Sequence, residues 1–98
     1  VMTYSDDVAL PVLHELWRRG LRVPQDLTVT SFNDVPFTRM STPPLTTVAV
    51  PAREMGQRAA ALLVQQIERP AEEIAPADRM VVLPETLIVR ESSGSPTK

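Results

Sequence analysis

Val1-Met2-Thr3-Tyr4-Ser5-Asp6-Asp7-Val8 opens the chain, and Leu27-Thr28-Val29-Thr30-Ser31-Phe32 closes the stretch that decides its fold. Residues 1–4 read as the end of a strand, and Ser5-Asp6-Asp7 offers side-chain oxygens suited to starting a helix, with Asp6 assigned as its cap. Val8, Val12, Leu13, Leu16 and Trp17 then recur at helical spacing, leaving His14, Glu15, Arg18 and Arg19 outside the apolar stripe. Pro11 removes one backbone donor beyond the first turn, so a local irregularity is expected there, and Gly20 supplies a stop. Pro24-Gln25-Asp26 makes a turn, and the β-branched and aromatic run Leu27–Phe32 makes a second strand. Strand, helix and strand in so short a stretch form a right-handed βαβ unit, so the fold class is α/β with a parallel sheet.

Working outward, Asn33-Asp34-Val35-Pro36 starts a short helix or loop running to Ser41, and Thr42-Pro43-Pro44 ends it. Leu45–Val50 is a third strand. Pro51 then stands where a helix can begin, and Ala52–Glu68 carries Met55, Ala59, Leu62, Leu63, Gln66 and Ile67 on one side. Residues 69–78 form a polar, proline-bearing loop, and Met80–Leu83 and Thr86–Arg90 form two short strands separated by Pro84-Glu85. The tail Ser92–Lys98 is expected to be disordered, and no internal repeat is visible.

Composition excludes several chemistries. The 98 residues carry a net charge of −2, with 43% hydrophobic and 22% charged residues, an ordinary globular balance. Without cysteine there are no disulfides, thiolate zinc sites or cysteine nucleophiles, and His14 alone cannot supply a two-histidine metal motif. Gly20, Gly56 and Gly94 are too far apart for a phosphate-cradling loop. No apolar run of about 18 residues exists to span a membrane, and no export signal opens the chain. Arg18, Arg19 and Arg22 are the only basic cluster, at a helix C-terminus where the dipole favours cations without a partner. Neither nucleic-acid contact by this chain, nor a metal, nor a cofactor, nor catalysis is expected.

A binding site is expected where the parallel strands end, because loops and helix N-termini gather there. The first strand ends at Tyr4-Ser5-Asp6-Asp7 and the second at Phe32-Asn33-Asp34, which the βαβ geometry brings to one edge. Tyr4, Ser5, Phe32, Asn33 and Asp34 are therefore the candidate ligand contacts. Their hydroxyl, amide and carboxylate groups suit a neutral polyhydroxylated ligand, whose hydroxyls both donate and accept. Asp6 and Asp34 are also placed to cap helices, whereas Ser5 and Asn33 have less structural reason to be there.

Six blocks in register resemble the C-terminal part of LacI/GalR-type transcriptional repressors, from Val1 to about Ser92. They are Ser5-Asp6-Asp7-Val8-Ala9-Leu10, Gly20-Leu21-Arg22-Val23-Pro24-Gln25-Asp26-Leu27, Ser31-Phe32-Asn33-Asp34-Val35-Pro36, Thr42-Pro43-Pro44-Leu45-Thr46-Thr47-Val48, Met55-Gly56-Gln57-Arg58-Ala59-Ala60 and the run Leu83 to Ser92. The resemblance implies the C-terminal portion of a type I, periplasmic-binding-protein-like core: two α/β subdomains with an effector in the cleft. Residues 1–50 would belong to the C-terminal subdomain, 51–83 to the N-terminal one, and 84–91 to a returning strand whose crossing Pro84 marks. Val1, already inside a strand, implies a truncation, about the last third of a longer chain.

The same resemblance implies a cytoplasmic homodimer that takes a sugar or sugar derivative as effector. Operator DNA would be read only through a helix-turn-helix lying outside this chain. Effector contact would fall to Ser5 and Asn33, where the family commonly has Asn and Asp, so its usual sugar preference does not transfer; Ser31 stands where the family has Gly. Leu10, His14, Trp17 and Ser41 would lie at the dimer surface, with a core position for Trp17 the competing expectation. The alternative is a transport sugar-binding protein of the same fold, which would be secreted and would not bind DNA.

Overall fold

Pairing begins at the first residue: Thr30 donates its N–H to the Val1 carbonyl at 2.9 Å, and Thr3 returns one to Thr30 at 2.8 Å. A computed structural model describes residues 1–94 of the chain, which divides into two compact units. One is Val1–Val50 with the chain from Glu85 onward; the other is Pro51–Pro84.

In the first unit the expected opening strand is reduced to one parallel bridge, Met2 with Thr30, because the backbone leaves for a helix at Ser5. That helix, α1, spans Asp6–Arg18 and runs through Pro11 unbroken. Its end is a full Schellman arrangement: the Leu21 N–H reaches the Leu16 carbonyl (2.9 Å), and the Gly20 N–H reaches the Trp17 carbonyl (3.0 Å). Gly20 supplies the φ of 74° that this turn requires.

The sheet has the order β1-β2-β3, with β1 at Thr30–Asn33, β2 at Thr46–Ala49 and β3 at Thr86–Ile88. β1 and β2 are parallel, with Thr30 opposite Thr46 and Asn33 opposite Ala49, while β3 runs antiparallel to β2, with Ile88 opposite Thr47. The α/β class stands, on a mixed sheet whose parallel part holds the candidate residues.

Two expectations need correction. Met80–Leu83 is not a strand; its backbone joins no ladder among the described residues, and Val82 lies 82% exposed. Ser92 is not part of a disordered tail. It is fully buried, its hydroxyl donates to the Val29 carbonyl (2.6 Å) and accepts from the Thr46 N–H (2.8 Å), and its own carbonyl accepts from Val29 (3.0 Å). Those bonds occupy the backbone of Val29, which is why the second strand starts later than its apolar pattern suggests. The remainder of the expected tail, residues 95–98, lies outside the described residues.

The core of this unit is small: Ala9 and Leu13 of α1 pack with Val29 and Leu45, flanked by Val12, Leu16 and Val23. In the second unit α2 spans Ala52–Glu68 with Pro51 at its N-cap, and two 3-10 turns, Ala71–Glu73 and Pro76–Arg79, follow in the expected loop.

Candidate functional site

Ser5 occupies the N-cap of α1, with extended backbone (φ −154°, ψ 165°), and its carbonyl accepts the N–H groups of Val8 (3.1 Å) and Ala9 (3.0 Å). Its hydroxyl makes no capping bond, and no hydrogen bond engages it among the described residues. Met2 pairs in parallel with Thr30, so Tyr4-Ser5 and Phe32-Asn33 both follow that bridge in the same direction. All four residues therefore reach the same edge, where the parallel strands end. Tyr4 is 90% exposed, Asn33 is exposed, and Ser5 and Phe32 are half-buried.

Asp6 is not the helix cap that the local motif suggested. It is the first residue of α1, only 1% exposed, with its carboxylate bonded to β1 and β2 of the sheet. One oxygen accepts hydrogen bonds from the Ser31 hydroxyl and, at 2.9 Å, from the Thr47 hydroxyl; the other accepts the Val35 N–H at 2.8 Å. A buried carboxylate left unpaired would be costly, and three donors satisfy it here. Asp6 thus ties α1, β1, β2 and the loop after β1 into one block.

Asp34 is also engaged within the protein. Its Oδ1 lies 2.8 Å from Arg90 Nη2, with both side chains nearly buried (13% and 14% exposed), and accepts from Thr38 Oγ1 at 3.0 Å. Asn33 and Asp34 have φ of 115° and 59°; the first lies outside all the wells that non-glycine residues ordinarily use. Such backbone costs on the order of 1–3 kcal/mol per residue and persists only where its surroundings hold it. No hydrogen bond engages the Asn33 side chain among the described residues, leaving its amide to donate and accept outward.

The edge therefore offers a hydroxyl and an amide, with the aromatic residues Tyr4 and Phe32 next to them in the chain. It lacks the parts of a nucleophilic centre: His14 sits on α1 against Trp17, ring centroids 6.0 Å apart, and among the described residues no acidic or histidine cluster could hold a metal.

A second feature lies along α1. Leu10, Pro11, Leu13, His14, Trp17 and Thr42 line an apolar groove of about 580 Å³. Trp17 is 75% exposed, which corrects the core alternative for it. Ser41 does not line this groove; its half-buried hydroxyl is shared between the carbonyls of Thr38 (3.0 Å) and Pro43 (2.9 Å), fastening the loop. Ser31, Thr38, Thr47 and Arg90 were missed as site-supporting residues. Only Ser31 carried a signal, as a hydroxyl where the resembling family has glycine.

The family described as periplasmic binding protein-like domain matches residues 1–93. The ribose operon repressor of Haemophilus influenzae is 36% identical over 92 residues, covering 94% of this chain and 26% of that protein. The transcriptional repressor CytR of Escherichia coli is 41% identical over 68 residues, 69% of this chain and 20% of that one. A LacI family transcriptional regulator from Enterococcus faecium, solved with bound ribose, superimposes with a TM-score of 0.84 at 28% identity, over 100% of this chain and 35% of that one. Its counterpart from Enterococcus faecalis, also with bound ribose, gives 0.83 at 32% identity, over 96% and 33%. The chain spans about a fifth to a third of the length of these proteins. It belongs to the periplasmic-binding-protein-like domain family, in the form found in LacI-type transcriptional regulators.

Proposed function

We propose that this chain is the effector-sensing and dimer-forming part of a transcriptional repressor, and that its effector is a sugar or a close derivative. The observation that carries the proposal is the pair Ser5 and Asn33, both following the Met2–Thr30 bridge toward the edge where the parallel strands end, each with polar side-chain groups that no hydrogen bond engages among the described residues. Hydroxyl and amide both donate and accept, which matches sugar hydroxyls, and their chain neighbours Tyr4 and Phe32 carry rings of the kind whose apolar faces suit a pyranose or furanose ring. The ribose held by two structural relatives supports the same ligand class.

Such a protein works by population shift. An effector that binds one conformation better than another moves the equilibrium by its differential affinity, and thereby alters operator affinity in DNA-reading residues outside this chain. Leu10, His14 and Trp17 supply an apolar face for a second copy, as in a homodimer acting in the cytoplasm. Repressor names among the relatives support a regulator over a transport protein or an enzyme.

Calorimetric titration of the natural protein carrying these residues with D-ribose and other monosaccharides tests the reading. Asn33→Ala and Ser5→Ala should each weaken the bound sugar by about 3- to 10-fold, the worth of one or two hydrogen bonds. If neither substitution changes the affinity of a sugar that binds, the site is elsewhere.

A further inference from the structure

Two successive non-glycine residues with positive φ stand at the end of β1, and the second has an unusual set of attachments. Arg90 is the hub. Its Nη2 pairs with Asp34 Oδ1 at 2.8 Å, and its Nη1 donates to Thr38 Oγ1 (2.9 Å) and to the Leu45 carbonyl (3.0 Å). Thr38 in turn donates within the turn, to Asp34 Oδ1 (3.0 Å) or the Val35 carbonyl (2.8 Å). The Arg90 backbone is itself pinned, its N–H donating to Thr46 Oγ1 at 2.8 Å and its carbonyl accepting from that hydroxyl at 3.0 Å. One residue later in the loop, the Val35 N–H is held by the buried Asp6 carboxylate. Asn33 is thus bracketed by the β ladder before it and by two side-chain anchors after it, while its own side chain is left unengaged among the described residues.

We propose that Arg90, with Thr38 and Asp6, is a positioning clamp: it holds the Asn33–Asp34 backbone in its left-handed path and so sets where the Asn33 amide is presented to the effector. The consequence for binding rests on the sugar-contact reading of Asn33; the clamp itself does not. Planarity of the guanidinium is essential, because three acceptors on two different segments are met at once, a geometry that a lysine ammonium on a flexible stem does not reproduce. Released from the clamp, Asn33 should relax to negative φ, and only the fraction of molecules that revisit the strained path would bind well.

The test uses the natural protein carrying this chain, with Arg90→Lys, Thr38→Val and, as a milder variant that keeps the fold if the first unfolds, Asp34→Asn. The first measurement needs no ligand. The HN–Hα coupling of Asn33 should change from the small value of its positive φ to the large value of an extended residue in the variants. An unchanged coupling in folded Arg90→Lys or Asp34→Asn overturns the clamp. The second is titration with D-ribose. Arg90→Lys should weaken binding roughly tenfold, as expected if the competent fraction falls to about a tenth, and should add less than about twofold in an Asn33→Ala background. Equal losses in both backgrounds overturn the positioning role. If the coupling shifts but Asn33→Ala leaves D-ribose binding untouched, or no D-ribose binds at all, the clamp stands and the assignment of Asn33 to that ligand falls.

Discussion

α1 and α2 both carry apolar residues at helical spacing, yet α1 buries Asp6, Ala9 and Leu13 whereas no residue of α2 is buried among the described residues. Met55, Leu63, Val64 and Ile67 of α2 are 47–74% exposed. Their ends differ as well. Gly20 closes α1 with two additional backbone bonds, while α2 runs out at Arg69, whose N–H reaches the Gln65 carbonyl. An amphipathic stripe is a capacity for burial, and only an apposed apolar surface realises it. α1 has that surface in Val29 and Leu45.

The largest difference should come from the anchor of α1. Asp6→Ala leaves two hydroxyls and one backbone N–H of the block without their acceptor, and should lower stability in urea unfolding by about 3–5 kcal/mol. Its exposed neighbour Asp7, changed to Ala, should cost less than about 0.5 kcal/mol; similar losses at both would break the anchor argument. Next comes the apolar face itself. Leu13→Ala should cost about 2–5 kcal/mol and Leu63→Ala in this 98-residue chain less than about 0.5 kcal/mol. An equal cost at Leu63 would mean that α2 is covered after all.

Glycine sharpens the comparison by sign. Gly20→Ala should destabilise by about 1 kcal/mol, since its positive φ strains any side chain although nothing lies within 4 Å. Gly56→Ala, in the interior of α2 with equally open space, should stabilise by about 0.5–1 kcal/mol. Matching signs would refute the distinction. The smallest effect lies in the turn after α1, where the Arg22 guanidinium and backbone N–H hold the Asp26 carboxyl below its ordinary value of 3.8. A depressed native pKa means that this contribution is complete above the unfolded value and fades as pH falls through the lower native one. NMR titration of Asp26 should therefore show a midpoint below 3.8, and Arg22→Ala should bring it back up.

How far the site was legible follows the range of the interactions involved. α2 was readable to its ends, Ala52 and Glu68, because helical bonds are local and Pro51 marks the start. Ser5 and Asn33 could be brought to one edge from the βαβ pattern alone, since handedness and alternation constrain that unit tightly. Asp6 was misjudged because Ser5-Asp6-Asp7 has the composition of a cap, and composition does not say which oxygen turns inward. Met80–Leu83 has strand composition without a strand, because a strand exists only with a partner.

By itself the sequence determined the class of fold, both helices, the poverty in catalytic groups and the polar residues that follow the first two strands. These depend on periodicity and residue type, which act over a few neighbours. Tertiary structure alone decided that Ser92 is a buried joint for Val29 and Thr46, that Trp17 is exposed, and that Arg90 reaches back to Asp34. Those contacts join residues far apart in the chain, and their energy comes from buried hydrogen bonds that exist only once the segments have met.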